Sequence, residues 1–290
     1  MGHDEQEGLG QAFTQGVIDS MGPGTNPRLR FVMASFIQHI HDFAREVDLT
    51  MDEWLMGVEL INQAGRMSDG KRNEGQTVCD VIGLESLVDD ITFRLAAKGA
   101  ARAPTESSIL GPFWRADTPV RENGTTISFD TPEDGEIVYM HGRVTGADGA
   151  PLPNATVDIW EASTNGLYEQ QDPNQVDCNL RGKFITDAEG RYSMYCLRPT
   201  AYGIPHDGPS WELLRLMDRH EMRPAHIHLM VSAPGHRTLI TQIYDKDSKY
   251  LDSDATFAVK NSLVVKFQPR EKDPRATLEL EHNIQLIQDA

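Results

Sequence analysis

Apolar residues recur every three or four positions through much of the first hundred residues. Phe36, Ile40, Phe43 and Val47 have this spacing, with polar residues between them, and it is the period of one face of an α-helix. Thr50 followed by Glu53 has the spacing of a capping box, in which each side chain satisfies the other residue's amide. It predicts a second helix whose face carries Trp54, Val58 and Ile61. Leu84, Leu87, Val88, Ile91 and Leu95 form a further helical stripe. These faces need a partner. The pattern leaves open whether that is another stripe, the rest of the chain or a second subunit.

The pattern changes near residue 100. KGAARAPTESSILGPF, residues 98–113, is rich in small residues and holds two prolines. Short apolar runs alternate with turns after it. IVYMHGRVTG, residues 137–146, meets Asp148-Gly149, a turn signal, and then ATVDIWEAS, residues 155–163. A second turn over residues 187–190 leads into RYSMY, and HIHLMVSAPG, LITQIYD and SLVVKF are further strand candidates. No long helix separates these runs. The expected architecture is therefore mixed: an N-terminal α-helical domain over residues 1–104, followed by an antiparallel β-sandwich domain over residues 105–290.

Composition narrows the function classes. The chain has 290 residues, 39% of them hydrophobic, enough for one large core or two modest ones. Its 27 basic residues against 44 acidic ones give a formal charge of -17. Such a surface repels phosphate backbones, so no nucleic acid partner is expected. Cys79, Cys178 and Cys196 are odd in number and far apart, with no CxxC pair, which fits a reducing compartment better than a disulfide scaffold. The opening MGHDEQEGLG lacks the basic and apolar segments of a signal peptide. Gln6 stands where myristoylation of Gly2 would want Ser or Thr. No run of eighteen apolar residues occurs, so a cytoplasmic protein without a membrane span is expected.

His226 and His228 are the first residues to suggest chemistry. In a strand, residues i and i+2 share a face about 6.6 Å apart, so two imidazoles can converge on one metal. The same pair can also be a hydrogen-bonded sheet face. Two imidazoles do not choose the metal, and a zinc site usually adds another His, a Cys or a carboxylate. His206, His220 and His236 sit in polar or turn-like stretches. A tyrosine phenolate is a harder donor. Its ordinary pKa of about 10 calls for a strong Lewis acid such as iron(III). Tyr168 closes an NGLY turn, and Tyr202 lies in PTAYGIPHDGP. Taken alone, each reads more readily as a structural tyrosine.

Four blocks between residues 105 and 244 change that balance: TESSILGPFW, HGRVTGADGAPLPNATVDIWEASTNGLY, LRGKFITDAEGRYSMYCLRPTAYGIPHDGP and RPAHIHLMVSAPGHRTLITQIY. Together and in order, they resemble the intradiol ring-cleavage dioxygenases, the group of catechol, chlorocatechol and hydroxyquinol 1,2-dioxygenases. The preceding helical region is also similar to that family's N-terminal domain. The resemblance implies one Fe(3+) per subunit, held by Tyr168, Tyr202, His226 and His228. Tyr202 would be the ligand that the diol displaces, and it would accept a proton. Arg223 and Gln242 would stand near the substrate and its developing negative charge. Ile109, Leu110, Gly111, Pro112 and Phe113 would border the ring, with Ile204 and Pro205 beside Tyr202. The family also implies a homodimer paired through its helical domains, with a phospholipid in an apolar channel there.

The stretch YGIPHDGP, the run YLDSDATFAVKNSLVVKF and the phenylalanine of GPFW are most similar to the hydroxyquinol enzymes. The expected reaction is thus cleavage of benzene-1,2,4-triol by O2 to 3-hydroxy-cis,cis-muconate, seen as maleylacetate. Glu85 is the candidate partner for the third hydroxyl. The alternatives are a catechol or chlorocatechol 1,2-dioxygenase and, from other classes, a non-catalytic β-sandwich binding module or a zinc hydrolase.

Overall fold

The computed structural model describes residues 9–70, 72–99 and 102–289. The first eight residues, which include Gly2 and Gln6 of the targeting argument, lie outside them. The chain forms two compact units, one ending at Asn62 and the other beginning at Gln63.

The first unit is helical. It contains α1 (Gln11–Asp19), α2 (Pro27–Glu46) and most of α3 (Met51–Met67). Asn26 starts α2: its side-chain oxygen accepts from Arg28 N at 2.9 Å and Leu29 N at 3.2 Å. Pro27 follows at the first helical position, where its missing N–H is no loss. The Thr50–Glu53 box forms as the spacing predicts. Thr50 N donates to Glu53 Oε2 at 2.9 Å, and Glu53 N donates to Thr50 Oγ1 at 3.3 Å. The stripe of Phe36, Ile40, Phe43 and Val47 is exposed on the single chain.

In the second unit two helices precede the strands. These are α4 (Glu74–Val81) and α5 (Leu84–Ala97). Gly83 turns the chain between them with φ +74°, a left-handed conformation that glycine adopts without strain. Val81 of α4 packs with Ile204, Leu214 and Ala255. The strands are β1 (Val120–Arg121), β2 (Thr125–Thr126), β3 (Ile137–Thr145), β4 (Thr156–Trp160), β5 (Arg181–Ile185), β6 (Arg191–Leu197) and β7 (Tyr202–Gly203). Then come α6 (Pro209–Leu216), β8 (Met222–Arg223), β9 (His226–Ser232), β10 (Leu239–Asp245), β11 (Val264–Val265), β12 (Gln268–Pro269), β13 (Leu278–Glu281) and β14 (Ile284–Gln285). No helix among the described residues is long and apolar enough to cross a membrane.

Two six-stranded sheets form, in the orders β1-β5-β4-β9-β10-β11 and β12-β13-β3-β6-β2, with β14 also on β3. The longer strands pair antiparallel, as the short connections predict: β3 with β6, β4 with β5 and β9, and β9 with β10. The short strands β1, β2, β11, β13 and β14 instead pair parallel with longer neighbours, so the sheets are mixed. Each reaches its partner after a long excursion of chain, which is what parallel pairing requires.

The core lies between the sheets. Val138, Met140 and Val144 of β3 and Met194 and Cys196 of β6 meet Val157 and Ile159 of β4 and Ile227, Leu229 and Val231 of β9. Full burial of such an aliphatic side chain contributes about 1.5–3 kcal/mol. The alternation on β9 has a functional consequence. With Ile227, Leu229 and Val231 committed to the core, His226 and His228 must project from the opposite face. The register places Trp160 of β4 and Gln242 of β10 on either side of His228, and Tyr244 beside His226.

Candidate metal centre

Two turns bring tyrosines over that outer face. Tyr168 follows β4 on a tight turn in which Gly166 N donates to Ser163 O at 2.8 Å. Gly166 has φ +80°, and a Cβ there would lie 2.8 Å from Tyr202 Cβ. The glycine of NGLY therefore sets how closely the two tyrosines approach. Tyr202 opens β7 and pairs across it with Arg223 of β8.

Four donor atoms close into a ring. Tyr168 Oη lies 2.8 Å from Tyr202 Oη, and Tyr202 Oη lies 3.2 Å from His226 Nε2. His226 Nε2 lies 3.2 Å from His228 Nε2, which lies 3.0 Å from Tyr168 Oη. All four side chains are buried. His226 Nδ1 lies 2.7 Å from the Pro224 carbonyl; as the donor there, it leaves the Nε2 lone pair to face the ring. The His228 ring stacks on Trp160 at 4.9 Å, and Phe113 packs on Tyr168 at 4.7 Å.

The electrostatics suit a hard cation. Burial, with Arg223 adding to it, pushes His226 down to about 3. Burial, then the neighbouring His226, holds His228 well below the usual histidine range. Both imidazoles are therefore neutral and able to donate a lone pair. Burial first, then Tyr202, raises the Tyr168 phenol well above its ordinary value. Only a strong positive charge at the ring's centre would ionise it. The donor set of two imidazoles and two phenols fits iron(III). Among the described residues, no group of three or more His, Cys, Asp or Glu side chains could hold a metal ion, so the donor set of an ordinary zinc site is not formed there.

Arg223 stands against this ring. Its Nη1 lies 3.0 Å from His226 Nε2, and its Nη2 donates to Gln242 Oε1 at 2.8 Å. Its Nε donates to Asp254 Oδ1 at 3.1 Å. Gln242 Nε2 in turn donates to the Ile109 carbonyl at 2.7 Å, tying residues 109–113 to the same cluster. Ile109, Gly111 and Phe113 are buried, and Leu110, Pro112 and Pro205 are half-buried. Ile204 is buried with Val81, Leu214 and Ala255. Glu85 Oε1 accepts from Leu110 N at 3.1 Å and from Gln76 Nε2 at 3.1 Å, so it holds the wall segment by its backbone. His206 is exposed against Glu221, and His236 bonds the Pro234 carbonyl, both outside the ring.

Two buried carboxyl groups lie within the field of Arg223. Asp254, inside the YLDSDATF run, is buried and accepts from Thr256 N, Thr256 Oγ1 and Ala258 N as well as from Arg223. Asp80 is 2% exposed, and its Oδ1 has no hydrogen-bond partner among the described residues. Burial, then the hydrogen bond with Glu85, pushes it up to about 9, while Arg223 pulls the other way. The Asp-x-Thr spacing at 254–256 is a turn signal that could have pointed to Asp254. Asp80 sits on an ordinary helix and carries no such signal.

Gly111 explains how the wall approaches the ring. It has φ +75°, and a Cβ there would lie 2.9 Å from His228 Cε1. Gly111→Ala combines about 1–2 kcal/mol of left-handed strain with displacement of the imidazole. It is expected to lower both the unfolding temperature and the bound metal. A variant with wild-type values of both would contradict this packing.

Comparison with known proteins agrees over nearly the whole chain. Residues 109–288 match the family described as Dioxygenase, and residues 26–99 match Catechol dioxygenase N terminus. The chain is 51% identical to the intradiol ring-cleavage dioxygenase prcA of Aspergillus niger, over 94% of this chain and 86% of that one. It is 46% identical to the catechol 1,2-dioxygenase of Candida albicans, over 97% and 94% of the two chains. Among solved structures, the hydroxyquinol 1,2-dioxygenase of Pseudomonas putida DLL-E4 superposes with a TM-score of 0.82 at 35% identity, covering 96% of this chain and 98% of that one.

Proposed function

The chain belongs to the intradiol ring-cleavage dioxygenases, and from that membership we propose an iron(III) enzyme that opens hydroxyquinol between its adjacent hydroxyls. O2 is the second substrate, and the product is 3-hydroxy-cis,cis-muconate or its tautomer maleylacetate. The observation that carries this reading is the closed ring of two phenol oxygens and two imidazole nitrogens. When bound, iron(III) supplies the Lewis acid that chelates the diol and activates its ring toward oxygen.

The chain's own residues bind, orient and move protons. His226 and His228 present neutral Nε2 atoms, and the Pro224 carbonyl fixes the orientation of His226. Held as a phenolate by the iron, Tyr202 Oη would receive a proton from an incoming diol hydroxyl. Burial raises the Tyr202 phenol above its ordinary value, and the positive charge of Arg223 pulls the other way, toward the anionic form of the tyrosine and of a bound diol. Asp254 and Gln242 hold the guanidinium in place. Trp160 and Phe113 wall the site with aromatic surface and exclude water.

The third hydroxyl of the triol needs a polar partner, a role for Glu85 together with Asp80, the buried carboxyl beside it. Burial and Glu85 push Asp80 toward its protonated form, with Oδ1 unbonded among the described residues and Arg223 pulling the other way. Asp80→Ala is expected to lower kcat/KM for hydroxyquinol by about tenfold to a hundredfold while changing catechol turnover by much less. A second reading, catechol as the preferred substrate, draws on the identity to the Candida albicans enzyme. Comparing kcat/KM for hydroxyquinol, catechol and 4-chlorocatechol separates the two. Wild type preferring catechol tenfold, with Asp80→Ala lowering both substrates equally, would overturn the hydroxyquinol choice and leave ring cleavage intact.

A further inference from the structure

Arg181 is a charged side chain with no solvent exposure. It opens β5 opposite Trp160, the residue stacked on His228. Its Nε donates to Glu169 Oε1 at 2.7 Å, and its Nη2 donates to Gln170 Oε1 at 2.5 Å. Its Nη1 is buried without a hydrogen-bond partner among the described residues. The guanidinium carbon lies 5.9 Å from the centre of the Tyr168 ring, within the range of a cation–π contact. Glu169 and Gln170 are the two residues after Tyr168, so the cation is clamped to the turn that carries that tyrosine. Arg115 shares Glu169 Oε1 at 3.0 Å from the other side.

A buried guanidinium with one arm unpaired is costly, and an apolar residue of similar volume would avoid the cost. Arginine also keeps its charge at every accessible pH. Its field is felt by both Tyr168 and His228. We infer that Arg181 is a positioning residue: clamped by Glu169 and Gln170, it holds a permanent positive charge behind Tyr168 and limits how strongly that phenolate donates to a bound cation. The inference rests on the iron(III) reading above.

The sign of the effect separates this role from a merely structural clamp. Positive charge beside the phenolate stabilises its donor electrons, so phenolate-to-iron charge transfer needs more energy. Glu169 partly cancels that charge. Removing Arg181 and neutralising Glu169 should therefore move the visible band in opposite directions. A clamp that only orders the turn gives no such opposition.

The experiment compares visible spectra of the purified iron-loaded wild type with those of Arg181→Lys, Arg181→Met and Glu169→Gln, with thermal unfolding as the check on folding. Arg181→Met is expected to shift the band to longer wavelength by about 10 nm or more, and Glu169→Gln to shorter wavelength. Arg181→Lys, which keeps the charge, should stay near wild type. Shifts of the same sign, or no shift, in Arg181→Met and Glu169→Gln would overturn the inference. If Arg181→Met does not fold, Glu169→Gln decides: a shift to shorter wavelength supports the role, and an unmoved band rejects it. A wild type with no visible band would overturn the iron(III) reading and this inference together, whereas a wild-type band with unmoved variants overturns this inference alone.

Discussion

Tyr168→Phe and His226→Ala should each lose kcat/KM by about a thousandfold or more and purify with little iron. Loss of an outer partner of a metal ligand alone costs about 10- to 100-fold, and these substitutions remove donors themselves. The geometry makes the loss hard to repair. Tyr168 Oη faces both Tyr202 Oη and His228 Nε2, so its removal deprives two neighbours at once. His226 Nε2 likewise faces Tyr202, His228 and Arg223. Tyr202→Phe should be milder in iron content, because Tyr168 and both histidines remain, while its turnover still falls through loss of the proton acceptor. Metal analysis and steady-state kinetics on the same preparations check this. Full turnover with normal iron in both Tyr168→Phe and His226→Ala would refute the four-donor site.

Arg223→Met is the second large effect. Removing a preorganised positive charge from a buried site costs about 10²–10³-fold in kcat. The substitution also strands Asp254, a buried carboxylate held low in part by Arg223. Breaking such a pair on one side destabilises by about 3–5 kcal/mol, so the two losses must be separated. Arg223→Met combined with Asp254→Asn removes the stranded charge. It should recover much of the unfolding temperature without recovering kcat. Arg223→Lys keeps a charge but cannot serve His226, Gln242 and Asp254 from one planar fork, so it should fall between the two. Recovery of kcat in the double variant would show that Arg223 serves stability alone.

Local patterns were the legible part of this structure. The Thr50–Glu53 box formed at the place its spacing predicts, because a capping box is complete within four residues. The parity of β9 was legible too: once Ile227 and Leu229 face the core, His226 and His228 must share the outer face. Residues whose roles depend on distant partners were not legible. Asp80 and Arg223 are far apart in sequence, and only the fold brings the one into the other's field. Asp254 lies 31 residues from Arg223, and nothing local in the YLDSDATF run shows that the two meet. Strand direction at the edges was also hidden. Two-residue strands such as β1 and β2 carry too little pattern to show that they pair parallel. The grouping of α4 with the strands follows from the packing of Val81 against Ile204 and Leu214, a contact that helical periodicity alone does not reveal.

Turnover of hydroxyquinol under isotopically labelled oxygen gas, with the product identified by mass, tests the central claim most directly. Cleavage between the two hydroxyl-bearing carbons predicts a dicarboxylate, maleylacetate after tautomerisation, carrying both oxygen atoms of the gas. A semialdehyde product, which means the ring was cut beside the diol, or a product without label would contradict it.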